Sequence, residues 1–303
     1  MVCLEIELEK ISFDPPLILA SGILDQTAET MKRILDSGAG AVVTKSIGKE
    51  SRGGHPNPSV VELETGLLNA MGLPNPGIDE FKNELKKLDD TVKQKPIIGS
   101  IFASNSDDFV DLALTMEGYG VDAIELNLSC PHAEGYGASI ASDQNVMAEV
   151  IESVVDQIEI PVLSKLPPSD QIVDKAKIAE KHGSDAIVCI NTVKAMAINY
   201  ETKTPILGNE IGGYSGKGIK PIGLRCVYEV YKEVDIPIIG CGGITTGRDA
   251  LEYILAGASA LQIGTVFKVR GKSAPNKIAD EMKELLNKEN IKDLESIIGV
   301  AHY

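Results

Sequence analysis

The chain lacks the features that mark several classes of protein. It has no tryptophan and only five cysteines among 303 residues, and these are widely spaced with no C-x-x-C pair. They are Cys3, Cys130, Cys189, Cys226 and Cys241. Their odd number and spacing argue against a disulfide framework, a structural zinc site or an iron–sulfur cluster in this chain. We therefore expect a protein of the reducing cytoplasm.

Long apolar runs and basic patches are also missing. No stretch of about 18 apolar residues occurs, so we expect no membrane-spanning helix. The start MVCLEIELEK has neither the basic nor the apolar region of a signal peptide. The net charge is −15, from 44 acidic and 29 basic residues. This excess of negative charge argues against a nucleic-acid partner, because nucleic-acid binding depends on a basic surface.

The chain does contain a regular alternation of short apolar runs and amphipathic stretches. The apolar runs are rich in β-branched residues and bounded by glycine or proline, which is typical of strands buried on both faces of a parallel sheet. Eight strands are predicted, at Pro16–Ala20, Ala41–Lys45, Pro96–Phe102, Ala123–Leu128, Pro161–Leu166, Ala186–Asn191, Pro237–Gly242 and Ala260–Thr265. Helices are predicted between them, among others at Asp25–Ser37, Asp79–Leu88, Asp107–Glu117, Asn145–Gln157, Arg248–Ala256 and Ala274–Asn287.

Eight strand–helix units in a chain of this length predict an α/β fold, a closed (β/α)₈ TIM barrel formed by residues 1–303 as a single domain. A doubly wound open sheet is the alternative. Two longer intervals, Ile47–Gly77 and Thr192–Gly218, predict insertions after strands two and six, on the face where the strands end. The alternating pattern of Cys3–Phe13 predicts an N-terminal β-hairpin at the opposite end.

Polar side chains and glycines stand at or just after the carboxyl end of nearly every predicted strand. Because the carboxyl ends of the strands meet on one rim of a barrel, we expect these residues to converge there. They are Ser21, Lys45, Ser46, Asn127, Cys130, Lys165, Asn191, Thr192, Gly242, Gly243, Gly264 and Thr265. Each alone is equally typical of a turn or a solvated side chain, so the joint pattern is what favours a site.

The glycines after strands seven and eight predict a phosphate site. Helices are expected to start at Thr246–Asp249 and after Phe267, where free backbone N–H groups would surround one point. Gly216, in the second insertion, could add a donor. The sequence therefore predicts a phosphorylated ligand.

The side chains on the rim allow more than one chemistry. Lysines form Schiff bases or stabilise anions, so an aldolase using Lys165 is one hypothesis. Asparagines suit the paired amide edges of flavins and pyrimidines, and the Cys130 thiolate could remove a proton. A barrel that serves only as a scaffold is a third possibility.

Nine motifs, in order and at barrel spacing, resemble the catalytic subunit of class 1 dihydroorotate dehydrogenase, most closely class 1B. They are ASG at Ala20–Gly22, TKS at Thr44–Ser46, NAMGLPNPG at Asn69–Gly77, NLSCP at Asn127–Pro131, SKL at Ser164–Leu166, INTVKAMAI at Ile190–Ile198, LGNEIGGYSGKGIKPIGLR at Leu207–Arg225, IIGCGGI at Ile238–Ile244 and QIGT at Gln262–Thr265. The resemblance implies one FMN-binding barrel that oxidises dihydroorotate to orotate in UMP biosynthesis.

The resemblance also implies a role for each matching residue. FMN would be bound by Ala20, Ser21, Lys45, Ser46, Asn127, Lys165, Ile190, Gly216, Gly242, Gly243, Gly264 and Thr265. Dihydroorotate would be bound by Lys45, Asn69, Met71, Gly72, Leu73, Asn127, Asn191 and Thr192, and we expect His132, which does not match the family residue, to bind it as well. Cys130 would be the general base that removes the C5 proton while the C6 hydride passes to the flavin. No metal ion is implied.

One residue departs from the family pattern. The dihydroorotate enzymes usually carry asparagine where this chain has His132, and SCPH is the run of the dihydropyrimidine dehydrogenases. An FMN barrel acting on uracil or thymine is therefore the alternative function.

The resemblance to class 1B also implies partners. It implies a homodimer that docks a subunit carrying FAD and a [2Fe–2S] cluster, forming a heterotetramer that passes electrons to NAD. A class 1A enzyme would use fumarate instead.

Overall fold

The structure, a computed structural model, describes residues 2–8, 10–88, 95–128 and 138–302. Its strands are, in chain order, β1 (Ile6–Leu8), β2 (Ile11–Phe13), β3 (Leu17–Leu19), β4 (Ala41–Val43), β5 (Val60–Leu63), β6 (Gly66–Asn69), β7 (Ile97–Ile101), β8 (Ala123–Asn127), β9 (Val162–Leu166), β10 (Ala186–Cys189), β11 (Val193–Met196), β12 (Ile198–Asn199), β13 (Thr204–Pro205), β14 (Ile211–Ser215), β15 (Ile238–Cys241) and β16 (Ala260–Ile263).

The helices alternate with the strands. They are α1 (Ala28–Asp36), α2 (Ile78–Lys86), α3 (Ser106–Gly118), α4 (Ala138–Ser142), α5 (Gln144–Val155), α6 (Ile172–Lys181), α7 (Lys220–Tyr231), α8 (Gly247–Leu255), α9 (Val266–Arg270) and α10 (Ala274–Lys288), with short 3₁₀ turns at Lys217–Ile219 and Glu295–Ile297. In the described part of the chain, no helix combines the length and apolar character needed to cross a bilayer.

Eight parallel strands close into a barrel, which confirms the predicted fold and excludes the open sheet. Around the barrel their order is β10, β15, β16, β3, β4, β7, β8 and β9. The strands are nearly completely buried, because their inner faces fill the barrel and their outer faces pack against the helices. All eight predicted strands and all six predicted helices are present, with ends that differ by a few residues.

Several helices begin at a residue whose side chain satisfies the first free amides. Thr27, Asn105, Asp143 and Thr246 each accept a hydrogen bond from a backbone N–H in the first turn. Such N-caps fix where a helix starts and therefore where the preceding loop must end. Thr27, Asn105 and Thr246 thereby end the loops that follow β3, β7 and β15.

The N-terminal hairpin is also confirmed. β1 and β2 pair antiparallel, with Ile6 opposite Phe13, and their alternate side chains are buried in the main core. Lys10 Nζ donates to the carbonyl oxygen of Glu159, just before β9, at 3.2 Å. The hairpin therefore lies at the amino ends of the barrel strands, opposite the predicted site.

The two insertions combine into one antiparallel sheet, here called the roof sheet, with strand order β11, β14, β6 and β5. The first insertion supplies β5 and β6, and the second supplies β11 and β14. Asn69 on β6 pairs with Gly213 on β14, which joins the two insertions directly. A small separate core of Leu68, Ala70 and Leu207 stabilises this sheet. The sequence predicted both insertions but not their pairing.

Candidate active site

A cavity of about 860 Å³ lies between the carboxyl ends of the barrel strands and the roof sheet. Every described residue of the predicted set lines it. These are Ala20, Ser21, Lys45, Ser46, Asn69, Met71, Gly72, Leu73, Asn127, Lys165, Ile190, Asn191, Thr192, Gly216, Gly242, Gly243, Gly264 and Thr265. Cys130 and His132 lie outside the described residues.

A chain of hydrogen bonds fixes the polar side chains on one wall of the cavity. Ser46 Oγ lies 3.0 Å from Ser21 Oγ and 2.8 Å from Ser100 Oγ, and it accepts from Asn127 Nδ2 at 3.2 Å. Asn127 Oδ1 in turn accepts from Asn191 Nδ2 at 3.3 Å. The two asparagine amides are thereby oriented before any ligand arrives, which lowers the cost of binding.

The cavity floor contains an ion pair that is almost completely buried. Lys165 Nζ donates to Glu125 Oε1 at 3.3 Å and to Gln262 Oε1 at 2.8 Å. Gln262 Nε2 donates to Glu125 Oε2 at 2.5 Å. The exposed fractions of Glu125, Lys165 and Gln262, here called the floor triad, are only 0%, 4% and 1%.

Sequence reasoning found Lys165 but missed the other two members of the floor triad. A usable signal was present, because alternate residues of a strand point to the same side. Glu125 stands two residues before Asn127, and Gln262 stands two residues before Gly264. Each therefore faces the barrel interior one layer below a residue that was predicted.

A second buried carboxylate, Asp25, was also missed. Its Oδ2 atom accepts from the Gly22 amide at 2.5 Å, and its carbonyl oxygen accepts from the Lys45 amide at 3.1 Å. Burial raises the pKa of Asp25, while the nearby Lys45 ammonium opposes that rise. Asp25 therefore holds the loop after β3 against β4 on the cavity wall.

The predicted free amides at the start of α8 are occupied, so that expectation is wrong. Asp249 Oδ2 accepts from the amides of Thr245 at 3.0 Å and Thr246 at 2.9 Å. Glu281 Oε2 accepts from the Gly247 amide at 2.7 Å. A capping box and a neighbouring carboxylate have satisfied these donors. The second predicted helix start is also shifted, because α9 begins at Val266, before Phe267 rather than after it.

Glycines at the ends of β15 and β16 provide a different set of donors. Within the described residues, the amides of Gly243, Gly264 and Thr265 donate to no protein acceptor. Gly243 has φ +71°, and a Cβ there would lie 2.7 Å from Lys220 N and 2.8 Å from Gly216 O. Only glycine fits so close to this backbone. The result is a small cradle of backbone amides, which suits an anion.

The contribution of Asp249 to the stability of the fold should depend on pH. Burial opposes its ionisation, but hydrogen bonds from Lys220 and Thr245 outweigh burial and lower its pKa to about 2. Because the folded-state pKa lies below the ordinary 3.8, this carboxylate stabilises the fold above about pH 3.8 and loses that effect as pH falls towards 2.

We expect Asp249→Asn to be less stable than wild type at pH 6 and to lose less stability on acidification. Urea unfolding between pH 6 and pH 2 measures both. Asp122→Asn is the control. Burial raises the pKa of Asp122, so this variant also loses a carboxylate, but not one whose pKa is lowered by folding. Parallel pH profiles for wild type and Asp249→Asn would contradict the prediction.

Comparisons with known proteins agree with one another. The sequence model of the family "Dihydroorotate dehydrogenase" matches residues 3–286. The chain is 50% identical over 299 residues to the protein of Pyrococcus horikoshii named "Dihydroorotate dehydrogenase B (NAD(+)), catalytic subunit", covering 98% of this chain and 97% of that protein. It is 48% identical over 295 residues to the protein of the same name from Methanocaldococcus jannaschii, covering 96% of each.

A solved structure supports the fold. The crystal structure of a dihydroorotate dehydrogenase from Eimeria tenella, in complex with ferulenol, superimposes with a TM-score of 0.87. The alignment covers 99% of this chain and 88% of that chain at 24% sequence identity. At that identity the likeness is evidence for the barrel alone.

Proposed function

The chain belongs to the dihydroorotate dehydrogenase family, and on that premise we propose that it oxidises dihydroorotate to orotate in pyrimidine biosynthesis. The observation that carries the proposal is the convergence of Lys45, Lys165 and three asparagines with a glycine cradle in one cavity. We propose that residues 1–303 form one FMN-binding domain and that the protein works in the cytoplasm.

The cavity residues fit FMN. A volume of about 860 Å³ lies within the range of about 300–1,000 Å³ usual for ligand sites. The amides of Gly243, Gly264 and Thr265 would hold the phosphate, with Gly216 and Gly242 beside them. Ala20, Ser21, Lys45, Ser46, Asn127, Lys165 and Ile190 would hold the rest of the molecule. Bound FMN would supply the hydride acceptor.

Asparagines from both sides of the cavity would bind the substrate. Asn127 and Asn191 stand on the barrel rim, and Asn69 stands on the roof sheet, where its Nδ2 donates to Gly213 O at 3.1 Å. Between them a flat amide-containing ring would meet donors and acceptors on two edges. The carboxylate would be held by Asn69, His132 and the amides of Gly72 and Leu73, with Lys45, Met71 and Thr192 completing the site.

Cys130 would act as the general base. It follows β8 by three residues, and β8 ends at Asn127 on the cavity wall. Its thiolate would take the proton from C5 of dihydroorotate as the hydride leaves C6, so that a C5–C6 double bond forms and orotate results.

The Schiff-base alternative is weakened by the floor triad. A lysine must be a neutral amine to attack a carbonyl. Lys165 Nζ instead donates to Glu125 Oε1 at 3.3 Å and to Gln262 Oε1 at 2.8 Å, and an attack on a carbonyl would have to break these buried hydrogen bonds. The dihydropyrimidine alternative keeps one observation in its favour, the presence of His132.

Reduction of the FMN-loaded chain by dihydroorotate and by dihydrouracil tests the proposal, with bleaching of the flavin as the signal. We expect dihydroorotate to bleach it. Bleaching by dihydrouracil alone would assign the protein to the dihydropyrimidine dehydrogenases. A colourless protein trapped with a carbonyl substrate by borohydride would be an aldolase, and a protein that binds no flavin and is not trapped would be a scaffold.

We further propose a homodimer that docks a subunit carrying FAD and [2Fe–2S], with NAD as the final acceptor. Two observations support it. Relatives of nearly the same length are named catalytic subunits of an NAD(+) enzyme. Among the described residues, no group of three His, Cys, Asp or Glu side chains could hold a metal ion. Efficient turnover with fumarate, unchanged by any partner subunit, would argue for the class 1A arrangement.

His132→Ala is expected to raise the Michaelis constant for dihydroorotate. A charge-assisted hydrogen bond to the carboxylate contributes roughly 1.5–3 kcal/mol, which is about 10- to 150-fold in binding. The contact should strengthen below about pH 6.5, where an unperturbed imidazole becomes charged. His132→Asn is the matched control and should have a far smaller effect. An unchanged Michaelis constant in the alanine variant would show that His132 only shapes its loop.

A further inference from the structure

The floor triad is a closed set of hydrogen bonds contributed by three strands. Glu125 stands on β8, Lys165 on the neighbouring β9, and Gln262 on β16 across the barrel. Each side chain is bonded to both of the others. Because both carboxylate oxygens of Glu125 are engaged, its charge is held at one place beneath the cavity.

The floor triad determines what Lys165 can offer to a ligand. An ammonium has three N–H donors, and two of them are used by Glu125 and Gln262. One donor is left for a group in the cavity, which Lys165 lines. The carboxylate of Glu125 also cancels the charge of Lys165, so the floor triad has no net charge.

We propose that Glu125 is a positioning residue that sets the charge beneath the bound cofactor. It acts through Lys165, by orienting the ammonium and by neutralising it. The inference rests on the proposed function, since it requires FMN in the cavity. Two-electron reduction adds negative charge to a flavin ring, so the net charge of the floor triad should alter the equilibrium between oxidised and reduced flavin.

Glu125→Gln removes the negative charge and preserves the size of the side chain. For two unit charges about 8 Å apart at an effective dielectric constant of about 20, the Coulomb energy corresponds to a factor of about 30 in an equilibrium constant. We therefore expect the variant to favour the reduced flavin at least tenfold more than wild type, which is about 30 mV for a two-electron couple. Equilibration with redox dyes of known potential measures this without turnover.

A charge swap separates the role of the charge from that of the residue. In the double variant Glu125→Gln with Gln262→Glu, Lys165 keeps a carboxylate within reach, because its Nζ bonds to both Oε1 atoms in the wild type. We expect this variant to bind FMN. Its equilibrium constant for flavin reduction should lie within about threefold of the wild-type value. If Glu125→Gln alone does not fold, the potential of this double variant still tests the proposal.

Asp122→Asn is the matched control. It removes one carboxylate at the amino end of β8, where Asp122 accepts from the Ile97 amide at 2.8 Å, far from the cavity. Its flavin potential should equal that of wild type. A Glu125→Gln variant with the wild-type potential, or a swapped variant that fails to fold or keeps the full shift, would overturn the proposal. A wild-type chain that binds no FMN would instead refute the proposed function, so the two failures are distinct.

Discussion

Replacing Cys130 with alanine is expected to slow the reduction of bound flavin by dihydroorotate about 10²- to 10⁴-fold, the usual loss when a positioned general base is removed. The methyl group of alanine cannot accept the C5 proton. Hydride transfer from C6 would then proceed without a side chain that removes this proton. Stopped-flow bleaching of the FMN-loaded variant measures the rate directly. In the wild type, the rate should rise with pH towards about 8.5, the ordinary pKa of a thiol.

The same variant should still bind FMN, because Cys130 is not among the proposed cofactor contacts. Cys3→Ala is the matched control, since Cys3 is an exposed thiol close to the N-terminal hairpin, at the far end of the barrel. It should reduce its flavin at the wild-type rate. If Cys130→Ala did the same, with FMN bound, Cys130 would have only a structural role.

Lys165→Met is expected to destabilise the flavin-free protein by about 3–5 kcal/mol, the usual cost of removing one partner of a buried ion pair. The physical reason is Glu125, whose carboxylate would remain at 0% exposure without a counter-charge. For a chain of this size the melting temperature should fall by on the order of 10 °C. Urea unfolding and thermal melts both measure the change.

Two further variants isolate the cause of that loss. Lys165→Met combined with Glu125→Gln removes both charges, and we expect it to recover most of the stability, since replacing a buried pair with neutral groups is often nearly neutral. Lys177→Met is the matched control. Its ion pair with Glu233 is about half exposed on both sides, so its loss should cost less than about 1 kcal/mol. Equal losses for Lys165→Met and Lys177→Met would contradict the argument.

The barrel could be predicted from the sequence because its signals are local. The strand Pro237–Gly242 is observed as Ile238–Cys241, and the helix Ala274–Asn287 as Ala274–Lys288. Strand and helix periodicities depend on neighbouring residues, so single segments are enough to reveal them. The gathering of Lys45, Asn127 and Lys165 in one cavity followed from the barrel topology, in which all strand ends share a rim.

Contacts between distant segments could not be predicted in this way. The pairing of Asn69 with Gly213 in the roof sheet depends on how two insertions meet above the barrel. The capture of the α8 amides by Asp249 and Glu281 depends on side-chain packing. Glu125 and Gln262 resemble isolated polar residues within apolar strands until the barrel brings them together. The roles of Cys130 and His132 stay predictions.

The roof sheet implies an order of assembly. Asn69 and Gly213 are hydrogen-bonded although 144 residues of chain separate them, and closing such a long loop is entropically costly until other contacts have been made. Barrel strands that are neighbours in sequence can pair first, and their closure brings the two insertions within reach of each other. The binding cavity is therefore completed late in folding. Nascent chains would acquire the capacity to bind ligand only after β16, which pairs with β3 to close the barrel, has been synthesised.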